Sequence, residues 1–146
     1  MRTAVLGAVV VLVVPCLTAC DPIVGEAPTA GRCRVKFAQP YRPTVTAGRL
    51  IHGQASALCT GPVDQHHVTL YLERNTGSTW EARDQETSDA IPSPAAVDLT
   101  VIVECRPGTW RLRYDLSATA AGKSAHAGDA SDQLTLKSQQ DCAKPQ

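Results

Sequence analysis

Residues 99–116 read LTVIVECRPGTWRLRYDL, and apolar and polar residues alternate in both halves of this stretch. Side chains of a β-strand repeat with a period of two, so alternate residues share a face. The apolar faces of the two halves are formed by Leu99, Val101, Val103 and Cys105, and by Trp110, Leu112, Tyr114 and Leu116. Residues 106–109 between them contain the Pro-Gly pair typical of a turn. We therefore predict a β-hairpin with a cysteine in its core face.

Further alternating runs flank this hairpin on both sides. They cover residues 33–37, 49–59, 67–74, 78–83 and 133–137. Small residues on the inner face of the 49–59 run, among them Gly53, leave room for close approach by a facing sheet. A turn signal at residues 75–77 predicts a second hairpin, with Trp80 pointing inward. Residues 84–96, DQETSDAIPSPAA, have no strand character, so we expect a long loop there.

These short strands, punctuated by Pro and Gly, predict an all-β fold: an antiparallel two-sheet sandwich. The chain has 146 residues, of which a single domain of roughly 110 residues is long enough to bury one core. Lys plus Arg and Asp plus Glu both number 14, so no strong field favours nucleic acid as a partner. Outer-face Arg111 and Arg113 are interleaved with acidic residues, which predicts cross-strand ion pairs.

The N-terminus has the pattern of an export signal. Arg2 precedes an apolar run that ends before Pro15 and is too short for a membrane-spanning helix, which needs about 20 residues. The following Leu17-Thr18-Ala19-Cys20 resembles the lipobox of bacterial lipoproteins. That resemblance implies cleavage before Cys20 and acylation of its thiol, so that the lipid holds the protein on the outer side of the cell membrane. The alternative is ordinary signal cleavage and a soluble secreted protein.

These features divide the chain into four parts. We expect a signal peptide with an apolar helix at residues 1–19 and a flexible tether at residues 20–31, which contain Pro, Gly and small residues. The β-sandwich domain would occupy residues 32–142, and residues 143–146 would form a short tail.

If Cys20 carries lipid and Cys16 leaves with the signal, four cysteines remain. Cys33, Cys59, Cys105 and Cys142 form an even set, which predicts two disulfides in an oxidising compartment. Four cysteines allow three connectivities. A site of four thiolates around zinc would need close pairs such as C-x-x-C, and the sequence has none, so we expect no metal.

Cys59 and Cys105 each end an alternating strand on its apolar face, with a hairpin between them in sequence. This pattern is similar to immunoglobulin-type sandwiches, in which a buried disulfide joins two sheets near a tryptophan. The resemblance implies an immunoglobulin-like fold. Because Cys59 and Cys105 share inward faces, we favour a Cys59–Cys105 bond together with a Cys33–Cys142 bond that ties the two ends.

Motifs for cofactor chemistry are weak. Residues 117–124, SATAAGKS, end like a phosphate-binding loop but lack its first glycine and are not followed by a helical pattern. We expect neither a nucleotide nor any other cofactor. Adjacent His66 and His67 would point to opposite faces of a strand, so they cannot chelate one ion together.

The sequence therefore favours a non-catalytic exported module that displays loops to a protein or envelope ligand. The loops at residues 61–66 and 84–96 are the candidate binding regions, because rigid sandwiches present function on their end loops. Their candidate binding residues are Asp64, His66, Asp84, Gln85, Glu86 and Asp89. The alternative is a small envelope hydrolase or hydrolase inhibitor using Asp64, His66 and His126, which would require those three side chains to share one concave pocket. A structural subunit of an envelope assembly is a third possibility.

Overall fold

A computed structural model describes residues 29–145, and in this part of the chain the protein is all-β. The ten strands are β1 (Thr29–Ala30), β2 (Cys33–Phe37), β3 (Thr44–Val45), β4 (Leu50–Cys59), β5 (Gln65–Asn75), β6 (Trp80–Ser88), β7 (Val97–Glu104), β8 (Gly108–Ala120), β9 (Lys123–Ala130) and β10 (Leu134–Leu136). A 3-10 helix, Asp141–Ala143, follows them. The predicted signal helix and Cys20 lie outside the described residues. Within these residues, no helix is long and apolar enough to cross a membrane.

The strands form two antiparallel sheets of five strands each. In the first sheet, β4 pairs with β2 and β3 along one edge and with β7 along the other, and β1 extends the sheet beyond β2. In the second sheet, β8 is flanked by β5 on one side and by β9 and β10 on the other, and β6 forms the outer strand next to β5. Buried residues of both sheets form one apolar core, so the sheets pack as two layers.

The central hairpin predicted from residues 99–116 is wrong. Strand β7 pairs with β4 in the first sheet, whereas β8 pairs with β5 in the second, so the chain crosses between layers at residues 105–107. The buried faces were predicted correctly, since Leu99, Val101, Trp110 and Leu112 are all 2% exposed or less. Alternation of apolar and polar residues shows which face of a strand is buried. It does not show which sheet the strand belongs to, because the inner faces of both sheets are apolar.

Small residues on β4 allow the close packing that the sequence predicts. Gly53, Ala55 and Ala57 all face the core. A Cβ atom at Gly53 would lie 2.2 Å from Cδ2 of Leu112 on β8, so only glycine fits between the sheets at this position. The small side chains of β4 therefore let β8 pack closely against it at Gly53.

The predicted hairpin of β5 and β6 is confirmed, but two details differ. Strand β6 continues to Ser88, so residues 84–88, expected in a loop, are paired with β5. Trp80 is half-buried on the outer surface, 4.1 Å beneath the guanidinium of Arg111, so its inward orientation was wrong. Most residues of β6 are exposed, and an edge strand exposed on both faces has little apolar alternation to reveal it.

Residues 117–124, whose end resembles a phosphate-binding loop, form part of a β-hairpin that the sequence did not predict. They include the end of β8, a two-residue turn at Ala121 and Gly122, and the start of β9. Both turn residues have positive φ, 49° and 72°, as in the type I′ turns that join tight hairpins. The expected final strand is confirmed as β10, with Leu134 and Leu136 buried.

All four cysteines of the domain are disulfide-bonded, but the favoured pairing was wrong. Cys33 bonds to Cys59, its register partner on the neighbouring strand, with 4.0 Å between the Cα atoms. Cys105 bonds to Cys142. Cys105 follows Glu104, which pairs with Leu50 at the far end of β4 from Cys59. The nine residue-to-residue steps from Leu50 to Cys59 span about 30 Å, so a Cys59–Cys105 bond is impossible. The two disulfides indicate an oxidising, extracytoplasmic environment.

Candidate binding site

A depression of about 340 Å³ lies where β5 begins and β8 passes beside it, next to the loop that follows β6. We refer to it as the His66 pocket. Its lining residues are Asp64, Gln65, His66, His67, Asp89, Ile91, Ser117, Ala118 and Thr119. The backbone N–H of Asp64 donates a hydrogen bond to the carbonyl of Thr119 at 2.7 Å, which fixes the loop before β5 against β8.

Three of the six predicted binding residues meet in this pocket. Asp64 and His66 come from the first predicted loop and its adjoining strand, and Asp89 comes from the second. Sequence reasoning assigned no role to Ile91 or Ser117, which also line the pocket, because neither carries a recognisable chemical motif. Their position depends on which strands pair, which the sequence alone did not reveal.

His66 lies on the inner face of β5 and is only 4% exposed. Burial has the largest effect on the pKa of His66 and lowers it. The neighbouring His67 also lowers this pKa, whereas a backbone hydrogen bond with Ala90 and the charge of Asp89 raise it. The backbone of Ala90 lies close enough to one ring nitrogen to affect the pKa. Neither ring nitrogen, however, has a hydrogen bond of good geometry with the described residues. At least one buried nitrogen of a neutral imidazole therefore has no partner among residues 29–145.

His67 points to the outer face, as strand alternation predicts for a residue adjacent to His66. Its Nδ1 lies 2.6 Å from Oδ1 of Asp89, and both side chains are more than half exposed. This contact orients the imidazole and engages the Asp89 carboxylate. The remaining carboxylate of the pocket, on Asp64, forms no hydrogen bond or ion pair of its own with any residue the structure describes.

The other three predicted binding residues lie on β6 rather than in a loop. Asp84 Oδ2 accepts a hydrogen bond from the backbone N–H of Ile102 at 2.8 Å, and Glu86 Oε2 accepts one from the N–H of Thr100. Both N–H groups belong to β7, at the edge of the first sheet. Asp84 and Glu86 therefore join the two layers along this side. Gln85, between them, is exposed.

The alternative catalytic residues are not brought together. His126 lies on β9 opposite Ser117 and lines a second depression, of about 580 Å³, on the outer face of the second sheet. Asp64 and His66 line the His66 pocket and do not line this second depression. His67 and Ser117 are shared by both depressions. The convergence that a hydrolytic site of Asp64, His66 and His126 requires is absent from this arrangement.

The outer face of the second sheet carries the predicted cross-strand ion pairs. Glu73, 5% exposed, accepts hydrogen bonds from Nε of Arg111 and Nε of Arg113, both at 2.8 Å. The two guanidinium groups lie 4.1 Å from the rings of Trp80 and Tyr71. Burial opposes the charge of Arg113, but Glu73 and Asp115 raise its pKa above the ordinary value. Arg111 and Arg113 form ion pairs with Glu73, and Arg113 also pairs with Asp115. This face therefore does not present two unpaired arginines to a ligand.

No family model and no curated protein matches this chain. Across residues 29–145, no group of three or more His, Cys, Asp or Glu side chains is arranged to hold a metal ion.

Proposed function

We propose that this chain is an exported, lipid-anchored, non-catalytic binding module of the cell envelope that recognises its ligand at the His66 pocket. The observation that carries the proposal is the meeting of Asp64, His66 and Asp89 in one depression, although Asp64 and His66 lie at the start of β5 and Asp89 follows β6. Rigid sandwiches commonly place function at such ends, where loops from several strands converge.

The proposal includes an immunoglobulin-like topology, supported by the distribution of strands between the sheets. Immunoglobulin-type sandwiches place strands A, B and E in one sheet and C, F and G in the other. Here β2, β4 and β7 share the first sheet, while β5, β8 and β9 share the second. The same alternation between sheets along the chain therefore occurs, although neither disulfide joins the two positions used in antibody domains.

Anchoring is supported by the disulfides together with the Leu17-Thr18-Ala19-Cys20 motif. Eight residues separate Cys20 from Thr29, where β1 begins. Fully extended, they would span roughly 30 Å, which is enough to hold the domain clear of lipid head groups. The pocket would then be presented to the space outside the membrane.

Anchoring is tested by expressing the full chain in a lipoprotein-processing bacterium, as wild type and as Cys20→Ser. We expect the wild type in the membrane fraction with an acylated N-terminus, and we expect Cys20→Ser to lose the acyl mass. Cys16→Ser is the matched control and should remain acylated. A mature wild-type chain that begins elsewhere and carries no acyl mass would overturn the anchoring.

Binding is tested by crosslinking the anchored chain in its native envelope. We expect a partner or ligand that crosslinks to the wild type and is lost in Asp64→Ala, while Glu104→Ala, at a distant exposed position, retains it. Equal crosslinking by both variants would exclude the His66 pocket as the recognition site.

A further inference from the structure

Strand β9 forms a long, open edge of the second sheet. It has eight residues, and its register with β8 continues without a bulge from Lys123, opposite Ala120, to Ala130, opposite Arg113. Among the described residues, no strand pairs with the other side of β9. An edge of this kind offers its outward N–H and C=O groups to a strand of another chain.

The other edges of the sandwich are short or protected. Strands β1, β3 and β10 have two or three residues each, and β1 covers part of β2. Asp84 and Glu86 accept hydrogen bonds from the free side of β7. Strand β6 carries four charged residues and a bulge against β5, both of which discourage pairing. Strand β9 has neither a bulge nor a proline, and its two charged residues, Lys123 and Asp129, lie near its ends.

The geometry of the β8–β9 hairpin determines which backbone groups of β9 point outward. The two-residue turn makes Ala120 and Lys123 a hydrogen-bonded pair, and such pairs alternate along an antiparallel ladder. The N–H groups of Ser124, His126 and Gly128 therefore point away from β8. They form no hydrogen bond with the described residues, and all three residues are exposed.

The sequence of β9 complements itself in the antiparallel direction. When His126 lies opposite His126 of a second copy, Ser124 lies opposite Gly128 of that copy, and Lys123 lies opposite its Asp129. In this register each outward-pointing residue faces another, so their N–H and C=O groups can form hydrogen-bonded pairs. Opposite charges also lie directly across from each other at both ends of the contact, an arrangement that stabilises strand pairing.

The charged groups that would meet across this edge are available for pairing. Lys123 forms no ion pair with any described residue. Asp129 accepts the N–H of Ala130 through Oδ1 at 2.8 Å, which leaves Oδ2 for a second partner. Between these charges, Ala125 and Ala127 add little bulk on the inner face. Side chains therefore do not hold two β9 strands apart.

We propose that β9 is a self-association edge, at which two copies of this chain pair their β9 strands antiparallel about His126 and join their second sheets into one. The contact is isologous, with the same surface used by both copies. It is only one strand wide, so association is weak in dilute solution and is favoured where copies are held close together. It uses none of the residues that line the His66 pocket and goes beyond the binding function proposed for that pocket.

Cysteine crosslinking of the purified full chain, with copper phenanthroline as the oxidant, tests the register. In His126→Cys the two new thiols belong to directly opposed residues, whose Cα atoms are about 5.5 Å apart and within disulfide range. In the matched control Ser124→Cys, on the same exposed face, the two thiols are displaced along the strands by four residues, roughly 13 Å. At a chain concentration of about 1 mM we expect a yield of linked dimer about fivefold or more higher for His126→Cys. The wild type controls for crosslinks through other cysteines.

A charge exchange in the His126→Cys background tests the contact between Lys123 and Asp129. Lys123→Asp alone places two carboxylates opposite each other, and Asp129→Lys alone places two ammonium groups opposite each other. Each should lower the yield of linked dimer by about fivefold or more. An equimolar mixture of the two variants restores opposite charges at both ends, so we expect it to recover the yield as a heterodimer that mass spectrometry identifies.

The inference is overturned if His126→Cys gives no linked dimer, or no more of it than Ser124→Cys does. It is also overturned if mixing the two charge variants fails to recover the yield, because a change confined to one chain cannot be repaired by the other. A linked dimer at His126 with recovery in the mixture would establish the antiparallel β9 contact.

Discussion

Gly53 shows how a single missing side chain sets the distance between the two sheets. Its position on β4 faces Leu112 of β8, and Leu112 is 1% exposed in the core. Protein interiors are close-packed, so a methyl group at this point has no free volume to occupy. The strand alternation in the sequence already placed Gly53 on the inner face, and the structure adds the side chain that it meets.

Gly53→Ala should lower the free energy of unfolding by about 1–3 kcal/mol, because Leu112 must leave its packed rotamer. The measurement is urea unfolding with the disulfides intact. The matched control is Gly48→Ala, since a Cβ there would lie 3.7 Å from Leu50, at ordinary contact distance. The control should change stability by no more than about 0.5 kcal/mol. Wild-type stability of Gly53→Ala would contradict the close approach of the sheets.

His66 is the residue through which pH should affect stability near neutrality. Its pKa in the folded protein is lowered, mainly by burial, whereas an unfolded histidine titrates near pH 6.5. As pH falls below about 6.5, the unfolded chain binds a proton that the folded chain excludes. The stability that neutral His66 contributes to the folded protein is therefore fully present above about pH 6.5 and is lost as pH falls towards the pKa of His66 in the folded protein. Asp141, whose pKa is lowered by the backbone of Ser138 and Lys137, acts only in a more acidic range.

We expect the free energy of unfolding to fall between about pH 7.5 and pH 5.5, and to fall less in His66→Gln, which cannot titrate. Urea unfolding of both proteins at the two pH values measures the difference. His52→Gln, which removes a half-buried histidine from the first sheet, is the control and should keep the wild-type dependence. Identical pH dependence in wild type and His66→Gln would show that burial does not lower the pKa of His66.

At the scale of elements, the side chains of β6 protect an edge of the other sheet. Strand β7 pairs with β4 along one edge, and the N–H groups of Thr100 and Ile102 point away from that partner. Unpaired strand edges invite association with other chains. The carboxylates of Asp84 and Glu86 accept hydrogen bonds from these donors, so these two candidate binding residues also join the two sheets.

The double variant Asp84→Ala and Glu86→Ala should expose these two donors. We expect amide hydrogen exchange at Thr100 and Ile102 to accelerate by about tenfold, as loss of one hydrogen bond at each predicts. Exchange at Val101 should change much less, because its N–H points towards β4. Gln85→Ala is the control on the same strand. Unchanged exchange at Thr100 and Ile102 would show that the carboxylates do not hold the edge.

At the scale of the whole molecule, the two disulfides restrain different parts of the fold. The Cys33–Cys59 bond reinforces the pairing of β2 with β4, while Cys105–Cys142 holds the C-terminal 3-10 helix against the crossover between β7 and β8. All four cysteines are 3% exposed or less. They compensate for a core poor in aromatic residues, of which the chain has only 4%.

Protease digestion without reductant should release one peptide pair that contains Cys33 and Cys59 and another that contains Cys105 and Cys142, as mass spectrometry would detect. Removing either bond by a double Cys→Ser change should cost about 3–4 kcal/mol for sequence separations of 26 and 37 residues. In the peptide map, each double variant should lose its own linked peptide pair and keep the other, so each serves as the control for the other. A linked pair containing Cys59 and Cys105 would contradict the strand register.

The sequence by itself determined the all-β class, the inward faces of most strands, the small residues on the inner face of β4 and the four cysteines that pair. Each of these follows from local properties: side-chain alternation, turn residues and the parity of cysteines. Asp64, His66 and Asp89, which line one depression, were also chosen as candidate binding residues from loop position and residue type. Edge strands β6 and β9 were missed or shortened because small and polar residues leave almost no apolar alternation.

Only the tertiary structure decided that β7 and β8 belong to different sheets and that Cys33 bonds to Cys59. It also decided that Asp84 and Glu86 accept hydrogen bonds from β7, whereas Asp89 contacts His67. All of these depend on which strands lie side by side. The physical reason is that alternation specifies a buried face without specifying its partner, since every inward face of a sandwich is apolar and can pack against any other. Partner choice depends on the combined packing and hydrogen bonding of the whole chain.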